Sequence, residues 1–372
     1  MSAASGPTRT GIANLPLHYG KAPRWLFERM VKLAREITIV IVEESGPDEM
    51  LRRLSHPYWF QAFGCVLGFD WHSSGVTTTL CGAVKEGVKG IEQDLGLFVA
   101  GGKGAASRKT PAEVENWGEI ISLDPAPLVY ASRMSAKVDS AAVQDGYQLY
   151  HHNFFFTARG SWAVVQQGMN ETTRYARRYH WLSESLRLRS GQALADFVNE
   201  PHSAVLSDSR GQALNLVAAE SEPARTTITE IATEEKPESI MAELNRIKTL
   251  SLTAHHYLGV EDLHPDSLKK IILSAYERQP EDFETLLGLP GVGAKTIRAL
   301  SLIAELVHGV DPSYRDPARY SFAHGGKDGI PYPVDRQTYD QSIQLLRRAI
   351  GKARLGLKEK GDAENRLLRF ER

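Results

Sequence analysis

The sequence predicts a mixed α+β protein, in which an α/β domain with a β-hairpin in its sheet precedes an all-α C-terminal domain. Two runs rich in aromatic and β-branched residues, at 145–156 and 161–170, flank a short turn and predict the hairpin. Residues 238–309 instead carry apolar side chains at helical spacing. Between these regions the chain is polar and acidic without periodicity, which predicts a linker. Three parts are expected: a mixed α/β domain at 1–200, a linker at 201–237 and a helical domain at 238–372.

The composition is that of a soluble globular protein. The chain has 372 residues, of which 42% are hydrophobic and 24% are charged, and its net charge is −1. This charge excludes a globally cationic nucleic-acid binder and leaves local basic patches. Two cysteines, Cys65 and Cys81, are too few for a disulfide scaffold or a four-cysteine metal cluster. With no apolar run of membrane-spanning length and no signal-peptide pattern, we expect a cytoplasmic protein without a membrane partner.

The N-terminal region begins with helical patterns after Pro23 and Pro47, while the β-branched run at 38–42 leaves helix or strand open. A glycine-flanked segment follows at 68–75 and carries Asp70, His72 and Ser73. This composition is typical of a site loop, and those three side chains form a candidate site. The alternative is that the hydroxyl groups cap the next helix.

A strand that starts at Leu97 leads into the glycine-rich segment 101–104. Backbone amides in such a loop cradle phosphate, and Lys103 and Lys109 would add positive charge as DNA contacts. The segment lacks the Gly-Lys-Ser/Thr ending of an ATP-binding loop, so nucleotide hydrolysis is not inferred. A solvated turn is the alternative.

Polar side chains concentrate on and beside the predicted hairpin. The candidate catalytic residues there are Lys137, Asp139, Asp145, His151 and His152. Asp139, Asp145 and His152 would hold Mg²⁺ or Mn²⁺ and activate water, with Lys137 stabilising the phosphate in the transition state. The pattern resembles restriction-type nuclease cores, with Gln166 and Gln167 where their Glu-x-Lys would lie. Ordinary polar alternation on a half-exposed sheet is the alternative.

A basic and aromatic stretch at 174–181 is read as a helix. Its Arg174, Arg177 and Arg178 are candidate DNA contacts, because guanidinium groups bind phosphate and aromatic rings stack on bases. A solvated helix face with extended arginines is the alternative.

The segment 286–300 predicts a helix end, a tight Pro290-Gly291 turn and a second helix. Gly291 and Gly293 would admit positive φ and close backbone approach, so that a phosphate reaches the free amides of the second helix. Lys295, Thr296 and Arg298 are the candidate DNA contacts that follow this turn. The Leu-Pro-Gly-Val-Gly-x-Lys-Thr string resembles the helix-hairpin-helix motif, which binds DNA backbone without reading sequence. A helical pair that only packs is the alternative.

The string also resembles helix-hairpin-helix DNA glycosylases, which pair it with a later Val-Asp. That resemblance implies Lys295 as a Schiff-base nucleophile and Asp335 as the carboxylate that stabilises the sugar cation. The 40-residue gap between them is about twice that of the family, and the cysteine cluster of many members is absent. The gap contains a long loop rich in Gly, Asp and His, whose His324 and Lys327 are further candidate DNA contacts.

A second resemblance covers nearly the whole chain. Its motifs are Leu-Pro-Leu-His-x-Gly-Lys-Ala-Pro at 15–23, Gly-Phe-Asp-Trp-His-Ser-Ser-Gly at 68–75, Gln-Gln-Gly-Met-Asn at 166–170 and Phe-Ala-His-Gly-Gly-Lys-Asp-Gly at 322–329. By these the chain is identified as a member of a prokaryotic family known only as domain of unknown function 763. The family label implies no activity.

The residues therefore predict a DNA repair or processing enzyme. The first hypothesis is a metal-dependent, structure-selective nuclease that holds the DNA backbone through the helix-hairpin-helix. The second is a DNA glycosylase or abasic-site lyase that uses Lys295 and Asp335. The third is a DNA-binding repair factor without catalysis.

Overall fold

The mixed α+β class is confirmed. The computed structural model describes residues 22–69, 74–187, 195–207, 211–249, 265–319 and 336–371. Of these described residues 61% are helical, and they form two antiparallel sheets. None of the described helices is long and apolar enough to cross a membrane.

Fourteen helices and eight strands alternate irregularly along the described chain. The helices are α1 Arg24–Ser45, α2 Pro47–Ser55, α3 Pro57–Val66, α4 Gly75–Val88, α5 Glu92–Leu95, α6 Thr110–Ile121, α7 Ala126–Lys137, α8 Glu222–Glu234, α9 Pro237–Ile247, α10 Pro265–Arg278, α11 Phe283–Gly288, α12 Ala294–Leu306, α13 Arg336–Lys352 and α14 Leu357–Glu371. The strands are β1 Leu97–Lys103, β2 Val143–Gln144, β3 Gln148–Thr157, β4 Trp162–Met169, β5 Ala176–Leu182, β6 Ala204–Leu206, β7 Gln212–Asn215 and β8 Ser313–Arg315.

The larger sheet has five antiparallel strands in the order β1-β3-β4-β5-β6. The predicted hairpin is confirmed as β3 and β4, with His152 opposite Gln166. Strands β2, β7 and β8 form a second, smaller sheet. The large sheet therefore supplies the polar residues that the sequence singles out.

Each face of the large sheet packs against its own helical layer. One face, which bears Val99 and Phe155, shares a core with α1–α5, α13 and α14. The opposite face, which bears Phe154 and Trp181, shares a core with α6–α12. Because successive side chains of a strand point to opposite faces, neighbours in sequence enter different cores.

Two secondary-structure predictions need correction. The interval 201–237, expected to be irregular, contains β6, β7 and α8, because Ala224, Ile228 and Ile231 on α8 are buried at helical spacing. The domain boundaries themselves stay a prediction. The stretch 174–181 is mostly strand β5 rather than helix, since pairing with β4 and β6 on both sides overrides its local pattern. The ambiguous run at 38–42 belongs to α1.

Candidate functional site

A buried carboxylate lies under the large sheet, at the end of α7. A π-helical turn, Val138–Ala142, follows α7 and places Asp139 there at 0% exposure. Its Oδ2 accepts hydrogen bonds from Gln166 Nε2 at 2.6 Å and from Trp181 Nε1 at 3.0 Å. Its Oδ1 accepts one from His202 Nε2 at 2.5 Å. The carboxylate is thereby fixed from three sides, and it orients the His202 ring.

The hydrogen bonds continue from Gln166 to a second histidine. Gln166 Oε1 lies 3.0 Å from His152 Nδ1, and His152 Nε2 lies 2.9 Å from Ser132 Oγ. Because an amide oxygen only accepts, Nδ1 of His152 carries the proton and Nε2 accepts from Ser132. Burial lowers the pKa of His152 to about 4, which keeps the ring neutral at pH 7. We call this set the Asp139 network; its members are Ser132, Asp139, His152, Gln166, Trp181 and His202.

Asp145 and Arg177, predicted as a metal ligand and a DNA contact, are paired with each other. Arg177 Nη1 lies 2.9 Å from Asp145 Oδ2, and Nη2 lies 2.7 Å from Asp316 Oδ2. The Tyr179 hydroxyl donates to Asp145 Oδ2 at 2.6 Å. Burial raises the pKa of Asp145, and Arg177 and Tyr179 offset part of that rise. Arg177 is a buried ion-pair residue on β5, so the predicted helix, whose arginines would contact DNA or, in the alternative, solvent, is wrong at this position.

The three predicted metal ligands make hydrogen bonds or ion pairs with other side chains of the protein, and they do not share one site. Asp139 and His152 belong to the Asp139 network, whereas Asp145 binds Arg177 and Tyr179. Within the described ranges no group of three His, Cys, Asp or Glu residues is placed to hold a metal ion. The divalent metal stays a prediction.

A second polar row crosses the opposite face of the same sheet. Its members are adjacent in register on four strands: Lys103, His151, Gln167 and Arg178. Arg178 is buried on β5 and donates to Thr77 Oγ1 and to Gln61 Oε1, each at 2.9 Å, so the helix predicted for this residue is wrong as well. His151 is 1% exposed, and among the described residues neither of its ring nitrogens has a hydrogen-bond partner. Burial, with His152, Lys103 and Arg178 nearby, lowers the pKa of His151 to about 3.

The predicted turn between two helices is present. Helices α11 and α12 are joined by residues 289–293, in which Gly291 has φ +84° and lies over Ile271. Gly293 has φ −147°, an extended value, so the positive φ expected for it is wrong. A Cβ on Gly293 would meet no atom closer than 4.0 Å, and Gly293 gives α12 no side-chain cap. Lys295 follows in the first turn of α12, and its side chain is exposed.

Two side chains that precede strand β3 in the sequence, Lys137 and Gln144, donate hydrogen bonds to the backbone of the α11–α12 turn from its protein side. The Lys137 ammonium donates to the Val292 carbonyl and, at 3.4 Å, to that of Leu289. Gln144 Nε2 donates to the Ala294 carbonyl at 2.9 Å. Half-burial lowers the pKa of Lys137. The lysine expected beside a catalytic phosphate therefore supports the α11–α12 turn instead.

The remaining candidates fall into three groups. Thr296 and Arg298 are each only 2% exposed, so their side chains do not form a DNA-facing surface. Three are exposed: Lys103, Lys109 and Arg174. Six lie outside the described residues: Asp70, His72, Ser73, His324, Lys327 and Asp335.

Sequence reasoning missed three members of the Asp139 network and one partner of Arg177. Ser132 and Trp181 lie within regular elements, and no local pattern marks them as partners of Asp139. His202 lies in the interval expected to be a linker, and Asp316 lies beyond α12, more than 130 residues from Arg177. The one usable signal was the Pro201-His202 pair at the edge of a region without periodicity.

A family model described as "Protein of unknown function (DUF763)" matches residues 11–334. The chain belongs to this family. The match spans the Asp139 network and the α11–α12 turn of this DUF763 member, while no match to a helix-hairpin-helix or glycosylase family accompanies it. No curated protein and no solved structure matches the chain.

Proposed function

We propose that this protein binds the DNA backbone, without reading sequence, through the turn between α11 and α12. The observation that carries the proposal is the uncapped start of α12 beside an exposed lysine. Helix N-terminal amides without a side-chain cap bind phosphate oxygens, and the helix dipole favours the negative charge. Gly293 leaves open space at this point, and Lys295 adds a cation.

The contacts beneath the turn strengthen this proposal. Carbonyl oxygens near a phosphate would repel it. The carbonyls of Val292 and Ala294 are instead engaged by Lys137 and Gln144 on the protein side. With these two carbonyls bound, their negative ends oppose the amides of the turn less strongly. The chain has no overall positive charge, its net charge being −1, so phosphate binding must come from local groups such as these amides and Lys295.

Fluorescence anisotropy with labelled duplex DNA tests the proposal. Lys295→Ala should weaken binding of unrelated duplexes equally and reduce the slope of log K against log salt by about 1. Gly293→Ala should also weaken binding, because the methyl group occupies the space of the phosphate without touching the protein. Lys358→Ala and Gly361→Ala on α14 are the matched controls, since α14 belongs to the opposite helical layer. Wild-type affinity in both turn variants would refute the proposal.

A second candidate function is hydrolysis of the bound DNA, and the contact between Asp139 and His202 favours it. A buried carboxylate that accepts from one imidazole nitrogen orients the ring as a general base. The His202 side chain keeps 7% exposure, so it is the member of the pair that meets solvent. In this proposal His202 takes the proton of the attacking water, and Mg²⁺ or Mn²⁺ remains a proposed cofactor.

Incubation of labelled duplex, flap and abasic DNA with Mg²⁺, Mn²⁺ or EDTA tests this candidate. Cleavage that His202→Gln abolishes, with DNA binding intact, supports it. Metal-independent cleavage at abasic sites that borohydride traps, and that Lys295→Ala removes, would support the lyase alternative. Binding without any cleavage leaves a non-catalytic repair factor.

A further inference from the structure

A groove of about 850 Å³ runs beside α7 and reaches Gly288, the last residue of α11. Tyr130, Arg133 and Lys137 line it from one face of α7, since they are three and four residues apart. They span about 10 Å of the helix. Gly288 directly precedes the α11–α12 turn, and Lys137 binds carbonyls of that turn from the protein side, so the groove adjoins the turn at its α11 end.

Tyr130 is held in place although it is exposed. Its hydroxyl donates to the buried Glu284 Oε1 at 2.5 Å, and its ring contacts Phe197 edge-on at 5.6 Å between centroids. The residue nevertheless keeps 45% of its surface exposed. Because the ring is already oriented, a partner that stacks on it loses little additional side-chain entropy.

The walls of the groove combine apolar surface with positive charge. Val129, Met134 and Leu149 contribute apolar area. Arg133 is exposed, and within the described ranges its guanidinium has no ion pair. Of the described lining residues, Arg133 and Lys137 are basic and Glu115 is acidic, so the lining carries a net positive charge.

An exposed aromatic ring beside cations and apolar walls suits single-stranded nucleic acid. Single strands offer unstacked bases to aromatic rings and phosphates to arginine, whereas the bases of a duplex are stacked inside. A duplex needs only a surface of amides and cations, such as the α11–α12 turn. The groove and the turn therefore suit two different parts of one DNA molecule.

We propose that the groove binds a DNA single strand that continues from the backbone held at the α11–α12 turn, with a base on Tyr130 and a phosphate at Arg133. This inference rests on the proposed function and names its substrate class: DNA with a junction between duplex and single strand. The binding is non-covalent and is determined by strand structure rather than by sequence.

Anisotropy of the full chain with a blunt duplex, the same duplex bearing a single-stranded tail, and the isolated strand tests this inference. The tailed duplex should bind about tenfold more tightly than the blunt one, as expected for stacking of one base. Tyr130→Leu should remove that preference and leave blunt-duplex affinity unchanged. Tyr130→Phe keeps the ring and should retain most of the preference. Arg133→Ala, at an exposed position, should reduce the preference several-fold.

The two proposals fail in distinguishable ways. Lys295→Ala should weaken blunt and tailed duplexes by the same factor, so an unchanged affinity for both contradicts the turn and not the groove. A tailed duplex that binds no better than the blunt one overturns the groove proposal. The same holds if folded Tyr130→Leu and Arg133→Ala proteins, verified by thermal melting, keep the full preference; the groove would then fit a protein segment rather than a strand.

Discussion

His151 and His152 are neighbours in sequence but lie on opposite faces of β3, and their surroundings differ completely. His152 has a partner at each ring nitrogen, Ser132 and Gln166. His151 is also buried, and no described residue is a hydrogen-bond partner of either of its ring nitrogens. Burial lowers the pKa of both, to about 4 and about 3. The comparison shows that the buried polar groups on one face of the sheet are hydrogen-bonded in a network. On the other face the buried imidazole of His151 is unpaired among the described residues, which lowers the stability of the fold.

Acidification should produce the largest effect of these predictions, a loss of folding stability caused by the two buried histidines. Both folded-state pKa values lie below the unfolded value of about 6.5, so the unfolded chain binds more protons between pH 6.5 and pH 4. The free energy of unfolding is therefore unaffected by these groups above pH 6.5 and falls as the pH drops, by up to about 1.4 kcal/mol per pH unit for each histidine. Urea unfolding at several pH values measures the slope. His151→Leu should remove the contribution of His151 to the slope of the free energy of unfolding against pH. An unchanged slope would show that His151 binds a proton as readily in the folded as in the unfolded state.

Asp139→Asn should give the next largest effect. The substitution replaces one of the two accepting carboxylate oxygens with an NH₂ group that only donates, so at least one of the three buried donors loses its acceptor and the negative charge is removed. The free energy of unfolding should fall by about 3 kcal/mol. Urea denaturation at pH 7 measures it. Glu119→Gln, at an exposed position of the same helical layer, is the control and should change stability by less than about 0.5 kcal/mol. A loss below about 1 kcal/mol for Asp139→Asn would mean that the donors find other partners.

Exchanging each histidine for leucine at pH 7 should give the smallest effects, of opposite sign. His152→Leu removes the partner of the Ser132 hydroxyl and of the Gln166 Oε1 atom and should cost about 2 kcal/mol. His151→Leu replaces an unpaired polar ring with an apolar side chain and should be neutral or stabilising by about 1 kcal/mol. Denaturation midpoints of the two variants measure the contrast. Equal losses would contradict the asymmetry between the faces.

Local patterns in the sequence predicted the elements whose signals are local. The β3–β4 hairpin follows from two β-rich runs around a turn, and the α11–α12 turn follows from Pro290 and Gly291. The stretch at 174–181 was misread, because a strand buried on both faces shows no alternation between polar and apolar residues. The prediction of an irregular linker for 201–237 is wrong for two reasons: its short strands depend on distant pairing partners, and the helical spacing of Ala224, Ile228 and Ile231 in α8 is hidden in a polar, acidic composition.

The sequence by itself determined the mixed α+β class, the family membership, the hairpin and the glycine turn, because each depends on residues close together in the chain. Only the tertiary structure decided what the polar residues do. It brought Asp139 to His202 across 63 positions of the chain. It also brought Asp145 and Asp316 to Arg177 across 32 and 139 positions. Lys137 meets Val292 of the α11–α12 turn across 155 positions. Hydrogen bonds and ion pairs act over a few ångströms in space, so sequence separation carries almost no information about them.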